Sequence, residues 1–259
     1  MPSLNLYLVG GAVRDQLLGL PVKDYDFAVE VQGFDILQGP VALAEAYFFM
    51  TDYLRNEGYT IFLEDPKTVT VRAKFPPTHP LARTTADFVL CRKEGPYSDG
   101  RHPDYVTLGT LEDDLARRDF TVNAMARPVL QDGSFGDTID LHRGIQCLET
   151  KTLQFIGGAM DRIREDGIRV LRAIRFKITK DFNFHHSIPY ILRNSTEAAE
   201  LLAGTSEDRR REELERCFHH DTLATLDVLQ HDISKELRDA IFAGNLRLSA
   251  TQRTKLNHA

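Results

Sequence analysis

Two aspartates, Asp24 and Asp26, stand two residues apart in the run KDYDFAV at 23–29, whose composition reads as a β-strand. Strand alternation then puts both carboxylates on one face. Paired carboxylates gather hard divalent cations, the arrangement that phosphoryl transfer uses. One ion would lower the pKa of an attacking hydroxyl, and the other would neutralise a departing pyrophosphate. Such sites take a third carboxylate, and Asp87 in ADFVLCR is the candidate, with its apolar neighbours Phe88 and Leu90 facing away from it. Upstream, Gly10-Gly11 precedes Arg14 and Asp15 at the opening of a helix. Glycines there let backbone N–H groups approach phosphate oxygens, and the start of a helix favours negative charge. Arg14 would add a fork of donors to a triphosphate.

The elements that must position these groups follow from periodicity and turn residues. A strand is expected at 4–9, a short amphipathic helix at 12–18 closed by Gly19 and Pro21, and the aspartate strand at 23–29. Residues 41–57 read as a helix with apolar positions at Leu43, Tyr47, Met50 and Leu54, and two β-rich runs follow at 69–75 and 86–92. From about Leu111 the pattern turns helical, broken by the turn Asp132-Gly133-Ser134. Beyond residue 159 it is almost wholly helical, with candidates at 159–178, 188–203, 206–219 and 234–243.

Four further segments carry a resemblance. LVGGAVRDQLLGLPVKDYDF, ARRDFTVNAMA at 116–126, REDGIRVLRAIRF at 164–176 and SEDRRREEL at 206–214 follow one another in the order of motifs found in class II tRNA nucleotidyltransferases and bacterial poly(A) polymerases. The run RKEGPYSDGRHPDYV at 92–106 resembles that family's flexible loop, and Asp208 stands where the last motif has Glu. The resemblance implies an α/β nucleotidyltransferase head with a mixed sheet (1–138), an all-helical neck (139–217) and a shortened helical body (218–259). It implies two Mg2+ ions on Asp24, Asp26 and Asp87, with ATP and CTP as substrates and the 3′ end of a tRNA as acceptor. Gly10, Gly11 and Arg14 would meet the triphosphate, while Arg118, Asp119 and Asn123 would recognise ribose and phosphates. An amide beside an Arg–carboxylate pair suits a 2′-hydroxyl, because it both donates and accepts.

In the third motif Glu165, Asp166, Arg169 and Arg172 are expected on one helix, with i,i+3 spacing giving an Asp–Arg–Arg row. The resemblance makes Asp166 and Arg169 the readers of the incoming base, so that amino acids take the place of a template. The competing reading of the same residues is a Glu165–Arg169 surface pair. Arg209 and Glu213, on a later helix, are expected to brace the reading helix. Poly(A) synthesis, partial addition of CC or of A only, and an inactive RNA-binding relative are the alternatives to CCA addition.

Composition sets outer limits. No apolar run approaches the roughly 20 residues of a membrane span, and the amino terminus lacks the pattern of a signal peptide. Cys91, Cys147 and Cys217 fit neither a disulfide framework nor a zinc spacing, which points to a reducing, cytoplasmic-type compartment. Net charge is −6, yet 160–180 holds seven Lys/Arg against three Asp/Glu, a local footprint for RNA. About 40 residues follow the last motif, which leaves a minimal enzyme, a homodimer that completes the RNA surface, or a smaller RNA as readings. His219, His220 and Asp221, with His231 and Asp232, are read as surface residues in preference to a metal phosphohydrolase site.

Overall fold

A computed structural model describes residues 2–36, 39–97, 102–244 and 246–248. By internal contacts the chain forms two compact units, one within Met1–Gly95 and Asp104–Leu148, the other within Pro96–Pro103 and Glu149–Ala259.

In the first unit β1 (Ser3–Val9) turns at Gly10 into α1 (Gly11–Leu17), followed by β2 (Tyr25–Gln32), α2 (Pro40–Asn56), β3 (Thr60–Asp65), β4 (Thr70–Lys74) and β5 (Thr85–Leu90). The short hairpin strands β6 (Arg92–Glu94) and β7 (Val106–Leu108) precede α3 (Leu111–Ala116), β8 (Met125–Pro128), β9 (Ile139–Asp140) and α4 (Gly144–Glu149). The main sheet has seven strands in the order β3-β4-β5-β2-β1-β8-β9. It is mixed: β2 and β5 run parallel, whereas β1–β2, β4–β5 and β1–β8 are antiparallel.

Register divides the sheet into two faces. Phe27 and Phe88 are paired partners on one face, and their rings stack at 5.2 Å with Phe75 and Tyr59 edge-on or tilted around them. Tyr47, Met50 and Leu54 of α2 are buried at the helical spacing the sequence suggested. Each such Met or Leu contributes about 1.5–3 kcal/mol by leaving water. Asp26 and Asp87, also paired partners, lie on the opposite face.

The region after Leu111 departs from the helical expectation. Helix α3 ends at Ala116, a single 3-10 turn spans Thr121–Asn123, and β8 enters the sheet beside β1. Met125 and Ala126 are buried. A four-residue strand with adjacent apolar positions shows no period, so it cannot be told from a helix by pattern. β3 was also unforeseen: Phe62 and Leu63 are exposed on this edge strand, so no alternation marks it.

The second unit comprises β10 (Thr152–Leu153), α5 (Ala159–Glu165), α6 (Arg169–Lys180), β11 (Asn183–Phe184), α7 (Ser187–Asn194), α8 (Thr196–Ala203), α9 (Glu207–His220), α10 (Thr222–Asp227), a π turn at Val228–Asp232, and α11 (Lys235–Ile241). The helix expected over 159–178 is therefore two helices, and the one expected over 188–203 divides at Ser195, whose side chain caps α8 by accepting from Ala198 N–H. Among the described residues no helix is long and apolar enough to cross a membrane. Cys91, Cys147 and Cys217 are all buried, without a disulfide.

Candidate active site

The parallel register Asp26↔Asp87 sets two carboxylates side by side at the starts of adjacent strands. Asp24 lies one residue ahead of β2, not within it as expected, and is exposed. Asp24, Asp26 and Asp87 nonetheless line one open pocket of about 490 Å³, together with Lys23, Arg72 and Thr85. Burial pushes the Asp26 carboxyl above its ordinary pKa, Arg118 draws it back, and the Asp87 and Asp24 charges raise it further.

Arg72 is a residue the sequence reading passed over. From β4 it lies opposite Asp87, and its Nε and Nη2 donate to the two Asp87 oxygens at 2.6 Å each. Among the described residues no three His, Cys, Asp or Glu side chains are grouped closely enough to hold an ion as they stand. The donors do fit hard divalent cations in kind, being carboxylates whose mutual repulsion at Asp26 a cation would relieve. What stands in the way is the Arg72 fork on Asp87.

Gly10 has φ of +70°, a conformation that favours glycine. A methyl group there would lie 2.9 Å from Arg118 Nη1 and 3.9 Å from Asp26 Oδ2. The turn, Arg118 and Asp26 therefore share one small space. Gly11 follows as the first residue of α1, and a methyl there would lie 3.3 Å from Arg14 Nη2.

Arg14, expected to reach for phosphates, is buried at 7% exposure. Its Nη1 donates to Asn123 Oδ1 at 2.6 Å, and its Nε to Asp15 Oδ1 at 2.9 Å. Asn123 Nδ2 donates in turn to Asp119 Oδ1 at 2.9 Å, and that oxygen also accepts from Phe120 N–H at 2.8 Å. Arg14, Asp119 and Asn123 thus form one buried network that ties α1 to the 3-10 turn. Arg118 meets this network at the Asn123 carbonyl, to which its Nη1 donates at 3.5 Å, and otherwise bonds Asp114, at 2.8 Å from Nη2 and 3.3 Å from Nε. Asp114 is 1% exposed and also takes Arg117. Burial alone would raise its pKa, but the Arg118 and Arg117 guanidinium groups hold it below the usual carboxylate value. Its i,i+4 spacing to Arg118 was the available signal.

In the second unit the residues of the third motif are arranged otherwise than expected. α5 ends at Glu165, and Asp166 is its extended C-cap, with α6 beginning at Arg169. These four residues do not share one helix. The break has a packing cause: a Cβ on Gly167 would stand 2.4 Å from the Leu201 carbonyl oxygen, so two backbones meet there. Glu165 Oε2 takes Arg169 Nη1 at 2.5 Å, and Glu165 also pairs with Arg162. Asp166 instead receives a two-pronged bond from Arg209, at 2.6 and 3.1 Å. Glu213 takes Arg175 at 2.5 Å and lies 3.8 Å from Arg172. The Glu165–Arg169 pair of the competing reading is present, and Arg169 N–H donates to the Asp166 carbonyl at 3.1 Å.

Of the remaining candidates, His219, His220 and Asp221 are exposed, His231 pairs with Asp227 one turn earlier, and Asp232 takes Lys177 and Arg193. Residues 98–101 of the expected flexible loop lie outside the described residues; the chain on either side pairs as β6 and β7.

Known proteins resemble this chain in sequence and in fold. A CCA-adding enzyme of Geobacillus thermodenitrificans is 35% identical over 213 residues, covering 81% of this chain and 44% of that protein. The Thermotoga maritima CCA-adding enzyme, solved in complex with tRNA, superposes with a TM-score of 0.68 at 26% identity over 92% of this chain and 48% of that one. The Bacillus stearothermophilus CCA-adding enzyme in complex with CTP gives 0.66 at 26% identity over 91% and 50%. The chain thus spans about half the length of these relatives or less. The family model of the poly A polymerase head domain matches residues 6–154, the stretch that carries the aspartate pair, the glycine turn and the Arg14–Asn123 network, and the chain belongs to that family.

Proposed function

We propose that this chain is a template-independent RNA nucleotidyltransferase that adds CCA to the 3′ end of tRNA from CTP and ATP. The observation that carries the reading is the register that puts Asp26 beside Asp87 on one sheet face, next to the Gly10 turn and Arg118. Two Mg2+ ions held by Asp24, Asp26 and Asp87 would supply activation of the 3′-hydroxyl and charge neutralisation at the triphosphate. Arg118 stands where it can meet phosphates, and the buried Arg14–Asn123–Asp119 network holds the wall behind it. The protein's share of catalysis is positioning and charge complementarity, with no covalent enzyme intermediate.

Residues 1–138 are the catalytic head in this reading, 139–217 the neck, and 218–259 part of a helical body. Asp166, Arg169 and Arg172 are proposed to select the base; the Arg209 fork on Asp166 supports a fixed carboxylate edge, and Glu213 supports Arg172. Buried, unbridged cysteines support a reducing, cytoplasmic setting.

The test is incubation with tRNA lacking its 3′ terminus, magnesium and each nucleotide in turn. Incorporation of CTP, then one A, and a stop after three additions is the expected result. Repeated A addition without CTP would assign poly(A) synthesis instead, and a stop after CC would assign partial addition. Asp24→Ala and Asp26→Ala should abolish incorporation while sparing RNA binding in a filter assay.

A further inference from the structure

We infer that Asp114, which no candidate role above involves with substrate or metal, is the positioning residue that sets the Arg118 guanidinium against Asp26 and the Gly10 turn; the inference rests on the nucleotidyltransferase reading.

Helix α3 stops at Ala116 and is capped by Arg117, so Arg118 lies past its last helical residue. Its guanidinium is directed by a bond from one turn back: Asp114 Oδ2 accepts from both Nε and Nη2. The other Asp114 oxygen takes Arg117, which also reaches Glu94 at 3.4 Å. A side chain with many rotamers is thereby held in one direction by a carboxylate that is almost wholly out of water.

The helix that carries Asp114 is fixed to the strand that carries Asp26. Glu30 Oε1 accepts from Leu111 N–H at 2.9 Å, at the first turn of α3. Along β2, residues 26, 28 and 30 share a face, so one strand presents both the metal candidate and the anchor of the arginine-bearing helix. Thr110 and Asp113 complete a capping box at the same end. Gly10 leaves the room that Arg118 occupies. A buried ion cluster contributes little net stability over apolar packing of the same volume. What this cluster adds is a set direction for one guanidinium.

The experiment is a double-mutant cycle on the whole chain, by single-turnover incorporation into tRNA lacking its 3′ end. Asp114→Asn should lower kcat/KM about 10- to 100-fold, the scale of a small misplacement. The loss should fall on KM for the nucleotide, with KM for RNA unchanged; a merely structural defect would lower the active fraction and leave KM alone. In an Arg118→Ala background, Asp114→Asn should bring no further loss. Arg117→Ala, which disturbs the same cluster but leaves the Asp114–Arg118 bond, should keep the nucleotide KM near wild type. If Asp114→Asn does not fold by thermal melt, the cycle is run with Asp114→Glu, which keeps the charge and displaces it. Additive losses in the cycle, or a raised nucleotide KM in Arg117→Ala, would overturn the inference. An active wild-type protein with unaffected Asp114 variants removes the positioning role alone, whereas a wild-type protein that incorporates no nucleotide removes the enzyme reading and this inference with it.

Discussion

Asp87 is the residue on which a metal reading turns, because both its oxygens bond Arg72. The Arg72 side chain is about half exposed, so its pairing is screened and is worth less than about 1 kcal/mol. Release of that fork by an incoming cation is therefore cheap. Arg72→Ala should tighten Mn2+ binding roughly two- to fivefold, the equivalent of that pairing energy. Titration followed by electron paramagnetic resonance would read it directly, and unchanged affinity would show that Asp87 takes no part in holding the ion. Asp114 gives a second test at this scale. Its folded pKa is depressed by Arg118 and Arg117 against burial. The stability it contributes is thus present above the unfolded value, about 4, and is lost as pH falls through the folded one. Urea unfolding of wild type should weaken across that acid window more than that of Asp114→Asn, which starts about 3–5 kcal/mol less stable at pH 7. Parallel curves would mean that the carboxylate is not held ionised. Asp26 and Asp87 were legible because their spacing and apolar neighbours mark a strand face. Arg72 was not, because it lies 15 residues from Asp87 and meets it only through strand pairing.

At the scale of elements, the sequence marks what has a period or a punctuating residue. The Gly10 turn, β1, β2 and α2 all appear close to where alternation and helical spacing put them. β8 and β3 escaped because one is only four residues long, with its two apolar residues adjacent, and the other is an exposed edge. The division of 159–178 escaped for a different reason: REDGIRV has a helical pattern, and only the partner backbone at Leu201 shows why Gly167 is needed. That close approach makes a prediction. Gly167→Ala places its methyl 2.4 Å from a carbonyl oxygen and 2.9 Å from the Leu202 nitrogen, neither of which is the end of a flexible side chain. Overpacking of this kind costs about 1–3 kcal/mol. The variant should melt several degrees lower by circular dichroism, and the Asp166–Arg209 fork should loosen with it. A melting temperature equal to that of wild type would mean that the α5–α6 break does not depend on the contact with α8.

At the scale of the whole molecule, charge bears on the proposed binding of RNA. The run 160–180 carries four more positive than negative residues, which on sequence alone looks like a phosphate-binding face. Folding changes that account. Within the run, Glu165 takes Arg162 and Arg169, and Asp166 draws Arg209 from α9. From outside it, Glu197 takes Arg164, Glu213 takes Arg175 and approaches Arg172, and Asp232 approaches Lys177. Three further carboxylates thus pair with cations of the run, although Arg209 and Arg193 join the same pairs, in a protein whose net charge is already −6. Phosphate contacts from this face should then release few counterions. For a single-stranded 3′ end the slope of log K against log salt is about −0.7 per neutralised phosphate. The expected overall slope between 50 and 200 mM salt is therefore shallow, roughly −1 to −2. Glu213→Gln uncovers Arg172 and Arg175 without removing them, so it should steepen the slope by about one phosphate contact. Fluorescence anisotropy with a labelled tRNA acceptor stem would measure both. A slope steeper than about −5 in the wild-type protein would mean that RNA is gripped by cations other than those of 160–180. An unchanged slope in Glu213→Gln would mean that the charge on α6 faces away from the RNA altogether.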